Sequence, residues 1–235
     1  REDAHEASQH HQVGLMCVDL GHQGGVKGLA GLWLIGKGFV FHHLNAFEDP
    51  ATGEVVVDSI YYDDFPSIGP EVDYREIDFD SIPEGQLRRC RIDPSSGTVQ
   101  SEWLEQRCCE FAMVNPAKQG LNARFAWMAV AQRERGNDPL QAIEKLDLQT
   151  GERLVWSAAP RGFVTEPVMV PRLTGDSPED SPAEDSGWVL VPVWNGARCA
   201  TDLVILNAAD MTEQAVLELP LAIPYGLHGS WSATA

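Results

Sequence analysis

Positive charge is what this sequence most lacks. Seventeen Lys and Arg face 35 Asp and Glu over 235 residues, for a formal net charge of −18. Neutralising a phosphate backbone takes clustered Lys and Arg, which argues against nucleic acid as a partner. Cysteine is no staple either: Cys17, Cys90, Cys108, Cys109 and Cys199 are odd in number and show no CxxC spacing. That argues against a disulfide framework or zinc knuckle and fits a reducing compartment. No window holds the roughly 18 uninterrupted apolar residues of a membrane-spanning helix, and no signal peptide is recognisable. A Gly-x-Ser-x-Gly elbow and a phosphate-cradling glycine loop are also missing, which weakens hydrolase and nucleotide-binding readings. Amphipathic helical periodicity is almost absent.

What is present is 43% hydrophobic residues, enough for a sizeable core. Residues 1–38 form an atypical lead-in, polar at first and then punctuated by glycine, with no clean period. Its histidines, His5, His10, His11 and His22, show no ligand spacing with an acidic partner. Acidic stretches at 61–64, 73–80 and 176–185 read as solvated loops. From residue 39 onward short apolar or alternating segments are separated by turn residues. The spacing predicts hairpins at 38–47 and 54–61, at 87–92 and 98–104, at 142–148 and 152–156, and at 202–206 and 213–219. The turn residues Asp93, Asp147 and Asn207 stand 54 and 60 positions apart. Hairpins recurring at that period, with little helix between them, predict an all-β chain built as blades of a β-propeller.

Four polar residues interrupt apolar, strand-like surroundings: His42, Glu110, Glu166 and His228, separated by 68, 56 and 62 residues. Taken singly, each is well explained as a core residue with a local hydrogen bond. Their shared spacing, close to that of the hairpins, predicts that they fall on inner strands of successive blades and meet at one axis. A neutral imidazole that binds metal through one nitrogen donates its other N–H to a carboxylate. Two His and two Glu therefore read as metal ligands, His42 and His228, with carboxylate partners, Glu110 and Glu166. His43 should point to the opposite face from His42 and be structural. Glu48 shares the face of His42 but is placed to cap the turn at Asp49 and Pro50.

The stretch Phe41-His42-His43-Leu44-Asn45-Ala46-Phe47-Glu48 resembles the Phe-His-x-x-Asn-x-aromatic-Glu motif of the carotenoid cleavage oxygenases. That family includes apocarotenoid oxygenases and the retinal pigment epithelium isomerohydrolase. The resemblance extends through Cys109-Glu110-Phe111, Thr165-Glu166-Pro167, residues 184–190 and residues 223–231. It implies a seven-bladed propeller with Fe(II) on its axis, held by four His, and an apolar polyene and O2 as substrates. It implies that His42 is a ligand supported by Glu110, and His228 a ligand supported by Glu166. It also implies oxidative cleavage of a conjugated C=C bond into carbonyl products, and cytoplasmic or plastid residence with peripheral membrane contact.

The other two family ligands lie upstream, and the 41 residues before His42 show no matching strand. His22, in a Gly-rich setting, is a poor substitute. Residues 39–235 are accordingly expected to be the C-terminal part of such an oxygenase, about four of its seven blades, and inactive as this truncated chain. Alternatives are a non-catalytic propeller fragment serving as an interaction or lipid-binding module, or an isomerase or hydrolase of the same family.

Overall fold

Four hairpin turns are built on one plan. Asp49, Asp93, Asp147 and Asn207 each accept, through a side-chain oxygen, the N–H two residues on, at 2.9, 2.8, 2.9 and 2.9 Å. The N–H four residues on, from Gly53, Gly97, Gly151 and Met211, closes the turn onto the same residue's carbonyl at 2.7, 2.8, 2.8 and 2.9 Å. Those closing residues are left-handed, with φ of 73, 70, 75 and 61°. Glycine adopts that conformation freely, whereas Met211 pays a steric cost.

The computed structural model describes residues 38–65, 72–172 and 182–232. The expected lead-in, with His22, lies almost wholly outside these residues, as does much of the loop expected at 176–185. The turns join strands β1 (Phe39–Glu48) to β2 (Val55–Tyr62), β3 (Gln86–Ile92) to β4 (Val99–Glu105), β7 (Leu140–Asp147) to β8 (Arg153–Ser157), and β12 (Ala200–Asn207) to β13 (Glu213–Glu218). Each expected hairpin is therefore found. The remaining strands are β5 (Cys109–Val114), β6 (Phe125–Ala131), β9 (Gly162–Val164), β10 (Val168–Pro171) and β11 (Gly187–Asn195). Helix among the described residues is confined to single turns such as Tyr74–Glu76, Phe79–Ser81 and Pro116–Lys118.

The strands form three antiparallel sheets ordered β1-β2-β3-β4, β5-β6-β7-β8 and β10-β11-β12-β13, with β9 also paired to β11. Sequential meanders of this kind need only short connections. The expectation of about four blades meets three sheets among the described residues, and these do not close into a ring.

The middle sheet is buried on both faces, which sets the two cores. Along β6 every residue from Ala126 to Ala131 is 0% exposed. Side chains alternate across a strand, so Ala126, Met128 and Val130 pack with Leu44, Ile60 and Leu87 of the first sheet. Trp127 and Ala129 pack with Val164, Val189, Val191 and Leu206 of the third. Polar clasps tie the sheets together. Asn45 Nδ2 donates to the Leu121 carbonyl at 2.8 Å and Asn45 Oδ1 accepts from Gly120 N at 2.9 Å. Glu184 Oε1 accepts from Arg124 N and Phe125 N, and Lys145 reaches Asp185 at 2.6 Å.

Candidate metal centre

The first strand of each sheet loses its regular ladder where a predicted site residue stands. The β1–β2 register slips between Val40 and His43 and again between His43 and Asn45, so His42 lies in a bulge. The β5–β6 register slips between Glu110 and Met113. There Phe111 is left-handed, with φ of 56°. In the third sheet, β9 and β10 both pair with β11, at Val164↔Val193 and Val168↔Leu190. They are one strand broken at residues 165–167, where Pro167 brings no N–H to the ladder. Glu166 occupies the break. Bulges of this kind re-aim side chains beside active sites.

His228 is the exception. It was expected on an inner strand of a further blade, but it lies in irregular chain following β13. Pro224 and Gly226 in Ile223-Pro224-Tyr225-Gly226-Leu227-His228 oppose strand formation, and no partner strand stands beside this segment among the described residues. Tyr225 Oη, donating to the Val164 carbonyl at 2.9 Å, and Ile223 N, donating to Thr201 Oγ1 at 2.8 Å, fasten it instead to the third sheet.

The four residues nevertheless meet. His42 Nδ1 lies 2.6 Å from Glu110 Oε2, and His228 Nδ1 lies 3.2 Å from Glu166 Oε1. The second Glu166 oxygen accepts from Gly229 N. The two imidazole centres are 5.0 Å apart with planes at 87°. The Phe111 ring packs at 5.4 Å from His42 and 6.3 Å from His228. Both histidines use Nδ1 toward their carboxylates, and neither Nε2 has a hydrogen-bond partner among the described residues. The two arms differ in exposure: the His42 side chain is 27% exposed and that of His228 61%.

His43 lies apart, with Nδ1 2.7 Å from Ser59 Oγ. Partial burial, followed by its neighbour His42, pushes its pKa below the ordinary value. Glu48 is exposed and makes none of the turn's hydrogen bonds; Asp49 supplies them. Two thiols near Glu110 are poor ligands as they stand, since burial pushes Cys108 up to about 11 and Cys109 well above its ordinary value.

Three contributors to the site escaped the sequence reading. Asn45 stood inside the recognised motif without a role, and it clasps the His42 strand to the loop after β5. Phe111 gave no signal because its left-handed backbone is invisible in sequence. Tyr62 gave none because its partner, Glu110, is 48 residues away.

Two imidazole nitrogens are a donor type that suits a divalent ion. An Nδ1 that donates its proton to a carboxylate leaves the lone pair of Nε2 free on each ring. Metal–imidazole bonds of roughly 2.1 Å put ring centres about 4.5–5.5 Å apart at ordinary coordination angles, and the observed spacing falls inside that range. Two imidazoles are an incomplete set, and no group of three or more His, Cys, Asp or Glu among the described residues could hold an ion.

Residues 5–233 match the RPE65 family, described as retinal pigment epithelial membrane protein, and this chain belongs to that family of carotenoid oxygenases. It is 44% identical over 199 residues to an apocarotenoid-15,15'-oxygenase of Synechocystis, covering 84% of this chain and 39% of that protein. It is 29% identical over 202 residues to a carotenoid cleavage oxygenase of Mycobacterium tuberculosis, covering 83% and 38%. A solved structure of cobalt-substituted Synechocystis ACO superposes with a TM-score of 0.77 at 43% identity, over 84% of this chain and 40% of that one. The chain thus spans about two fifths of the length of these relatives.

Proposed function

We propose that this chain is the C-terminal part of a non-haem Fe(II) oxygenase that cleaves a conjugated C=C bond of a carotenoid or apocarotenoid. The observation that carries the proposal is the pair of His–Glu contacts, drawn from three sheets and the C-terminal segment onto one point. In this reading the three sheets are blades of a seven-bladed propeller, and His42 and His228 are two of four iron ligands. Iron(II), when bound, supplies the activation of O2, whose two oxygen atoms end in the two carbonyl products.

The chain's own residues bind and orient. Glu110 and Glu166 hold the Nδ1 protons, which aims each Nε2 at the ion and raises its basicity. Neutral histidines leave the ion dicationic. A groove of about 440 Å³ beside Glu166 and His228, walled by Val168, Pro192, Trp194, Ile223 and Leu227, offers apolar surface to a polyene. Peripheral membrane contact and cytoplasmic or plastid residence are part of the same proposal.

With two of the four ligands, the 235-residue chain is expected to hold iron weakly and to turn over no substrate. The test is purification of the chain with iron analysis and incubation with an apocarotenal. Stoichiometric iron together with turnover would overturn the proposed inactivity. Incorporation of ¹⁸O from ¹⁸O2 into both carbonyl products by a longer form of the protein is the outcome expected of an oxygenase. Label entering only from water would mark a hydrolase or isomerase of the same family instead.

A further inference from the structure

We propose that Tyr62 is a positioning residue for the metal centre, whose hydroxyl clamps the Glu110 carboxylate so that one oxygen faces His42.

The inference rests on the reading of His42 as a ligand and extends it one step outward. Tyr62, the last residue of β2, is 7% exposed, and its hydroxyl donates to Glu110 Oε1 at 2.9 Å. The other carboxylate oxygen, Oε2, takes His42 Nδ1–H at 2.6 Å and Phe111 N–H at 2.7 Å. Both oxygens are therefore engaged, and the carboxylate cannot turn without breaking a bond on each side. Phe41 stands edge-on to the Tyr62 ring, with centroids 5.4 Å apart at 88°. Burial, followed by the charge of Glu110, raises the phenol above its ordinary value, so the hydroxyl stays a donor at physiological pH.

Room for this clamp is reserved in the sequence. A Cβ on Gly85 would stand 2.7 Å from the Tyr62 hydroxyl and 2.7 Å from the Cys109 carbonyl. Any side chain there would press on both the phenol and the Cys109 carbonyl, so one of them would have to shift. The chain of contacts thus runs from Gly85 through Tyr62 and Glu110 to His42. Removing an outer partner of a metal-binding imidazole typically costs about 10- to 100-fold in metal affinity.

The test compares the ¹⁵N-histidine-labelled full chain with Tyr62→Phe, with Tyr61→Phe on the opposite face of β2, and with Tyr62→Phe combined with Glu110→Gln. The metal-free chain is read first, by the tautomer of His42, and Co²⁺ is then added. Tyr62→Phe should turn a single Nδ1–H tautomer into a mixture and weaken Co²⁺ binding at His42 about 10-fold. Tyr61→Phe should do neither, and Tyr62→Phe should have no further effect on a Glu110→Gln background. An unchanged tautomer in Tyr62→Phe at unchanged stability overturns the proposal. Should Tyr62→Phe fail to fold, replacement of tyrosine by 3-fluorotyrosine keeps the shape and strengthens the donor. The His42 Nδ1–H resonance should then move upfield as Glu110 becomes less basic, and an unmoved resonance overturns the proposal. If Co²⁺ leaves wild-type His42 untouched, the ligand reading fails, while the metal-free comparison still decides the role of Tyr62.

Discussion

His42 and Glu110 stand 68 residues apart in the chain and 2.6 Å apart in space. Each sits where the first strand of its sheet slips register. The fold therefore gives up ladder hydrogen bonds at two places to form one contact between sheets. On the opposite arm, His228 and Glu166 meet at 3.2 Å with far more exposure.

Carboxylate neutralisation should separate the two arms. Glu110→Gln leaves three donors facing an uncharged amide in a site only 9% exposed. We expect Co²⁺ affinity at His42 to fall about 10- to 100-fold and stability to fall by about 1–3 kcal/mol. Glu166→Gln, at the more exposed arm, should lower affinity at His228 with little change in stability. Equal stability losses in urea denaturation of the two variants would contradict this assignment.

Asn45 tests the clasp between the first two sheets. Asn45→Ala strands the Gly120 N–H and the Leu121 carbonyl at a position 7% exposed, which should cost about 1–3 kcal/mol in urea denaturation. Asn45→Asp keeps the acceptor for Gly120 but faces a second oxygen at the Leu121 carbonyl, so it should cost at least as much. Wild-type stability in either variant would show that the clasp holds nothing.

Glu144 makes stability depend on pH. It is 1% exposed, no N–H donor lies within hydrogen-bond distance of either oxygen, the Glu105 carboxyl is the partner of its protonated form, and Arg107 and Arg153 stand 3.9 and 3.8 Å away. Burial, followed by repulsion from Glu105, pushes its pKa up to about 8. Burial also presses Glu105 upward, but the Arg107 N–H and the Arg153 guanidinium outweigh it and hold that partner below its ordinary value. The folded form of Glu144 thus keeps a proton that the unfolded chain gives up near 4.5. Glu144 therefore makes stability fall as pH rises from that value to about 8, and the loss levels off above it. Glu144→Gln should flatten this slope and raise stability at pH 8 by about 1 kcal/mol or more. A slope unchanged by the substitution would contradict the assignment.

The repeated turn gives a backbone test. Gly151 has φ of 75° and open space around the position of a Cβ, so Gly151→Ala meets backbone strain alone and should cost about 1–2 kcal/mol. Met211 holds the same position in its turn with φ of 61° but is 5% exposed. Met211→Gly relieves strain yet opens a core gap, and thermal unfolding should show a net loss.

Much of this was legible because hairpins advertise themselves. Asp93-Pro94-Ser95-Ser96-Gly97 and Asp147-Leu148-Gln149-Thr150-Gly151 carry the Asx acceptor and left-handed glycine that such turns demand, and the flanking strands alternate as strands should. His42, Glu110 and Glu166 stood out because polar residues in apolar strands need partners. What stayed hidden depends on conformation rather than composition. Phe111 looks like any core aromatic until its φ is known, Tyr62 looks like a strand terminus, and nothing local marks Gly85 as space kept for a phenol. The segment around His228 misled for a related reason: its spacing matched the repeat, but Pro224 and Gly226 hold it outside the sheets.

The central claim, that His42 and His228 serve one metal ion, is tested most directly by titrating Co²⁺ into the ¹⁵N-histidine-labelled chain and following individual imidazole signals. The account predicts that His42 and His228 lose their Nε2 resonances together, at one Co²⁺ midpoint, and that His42→Ala abolishes the response of His228. Separate midpoints, or a His228 response that survives His42→Ala, would contradict it.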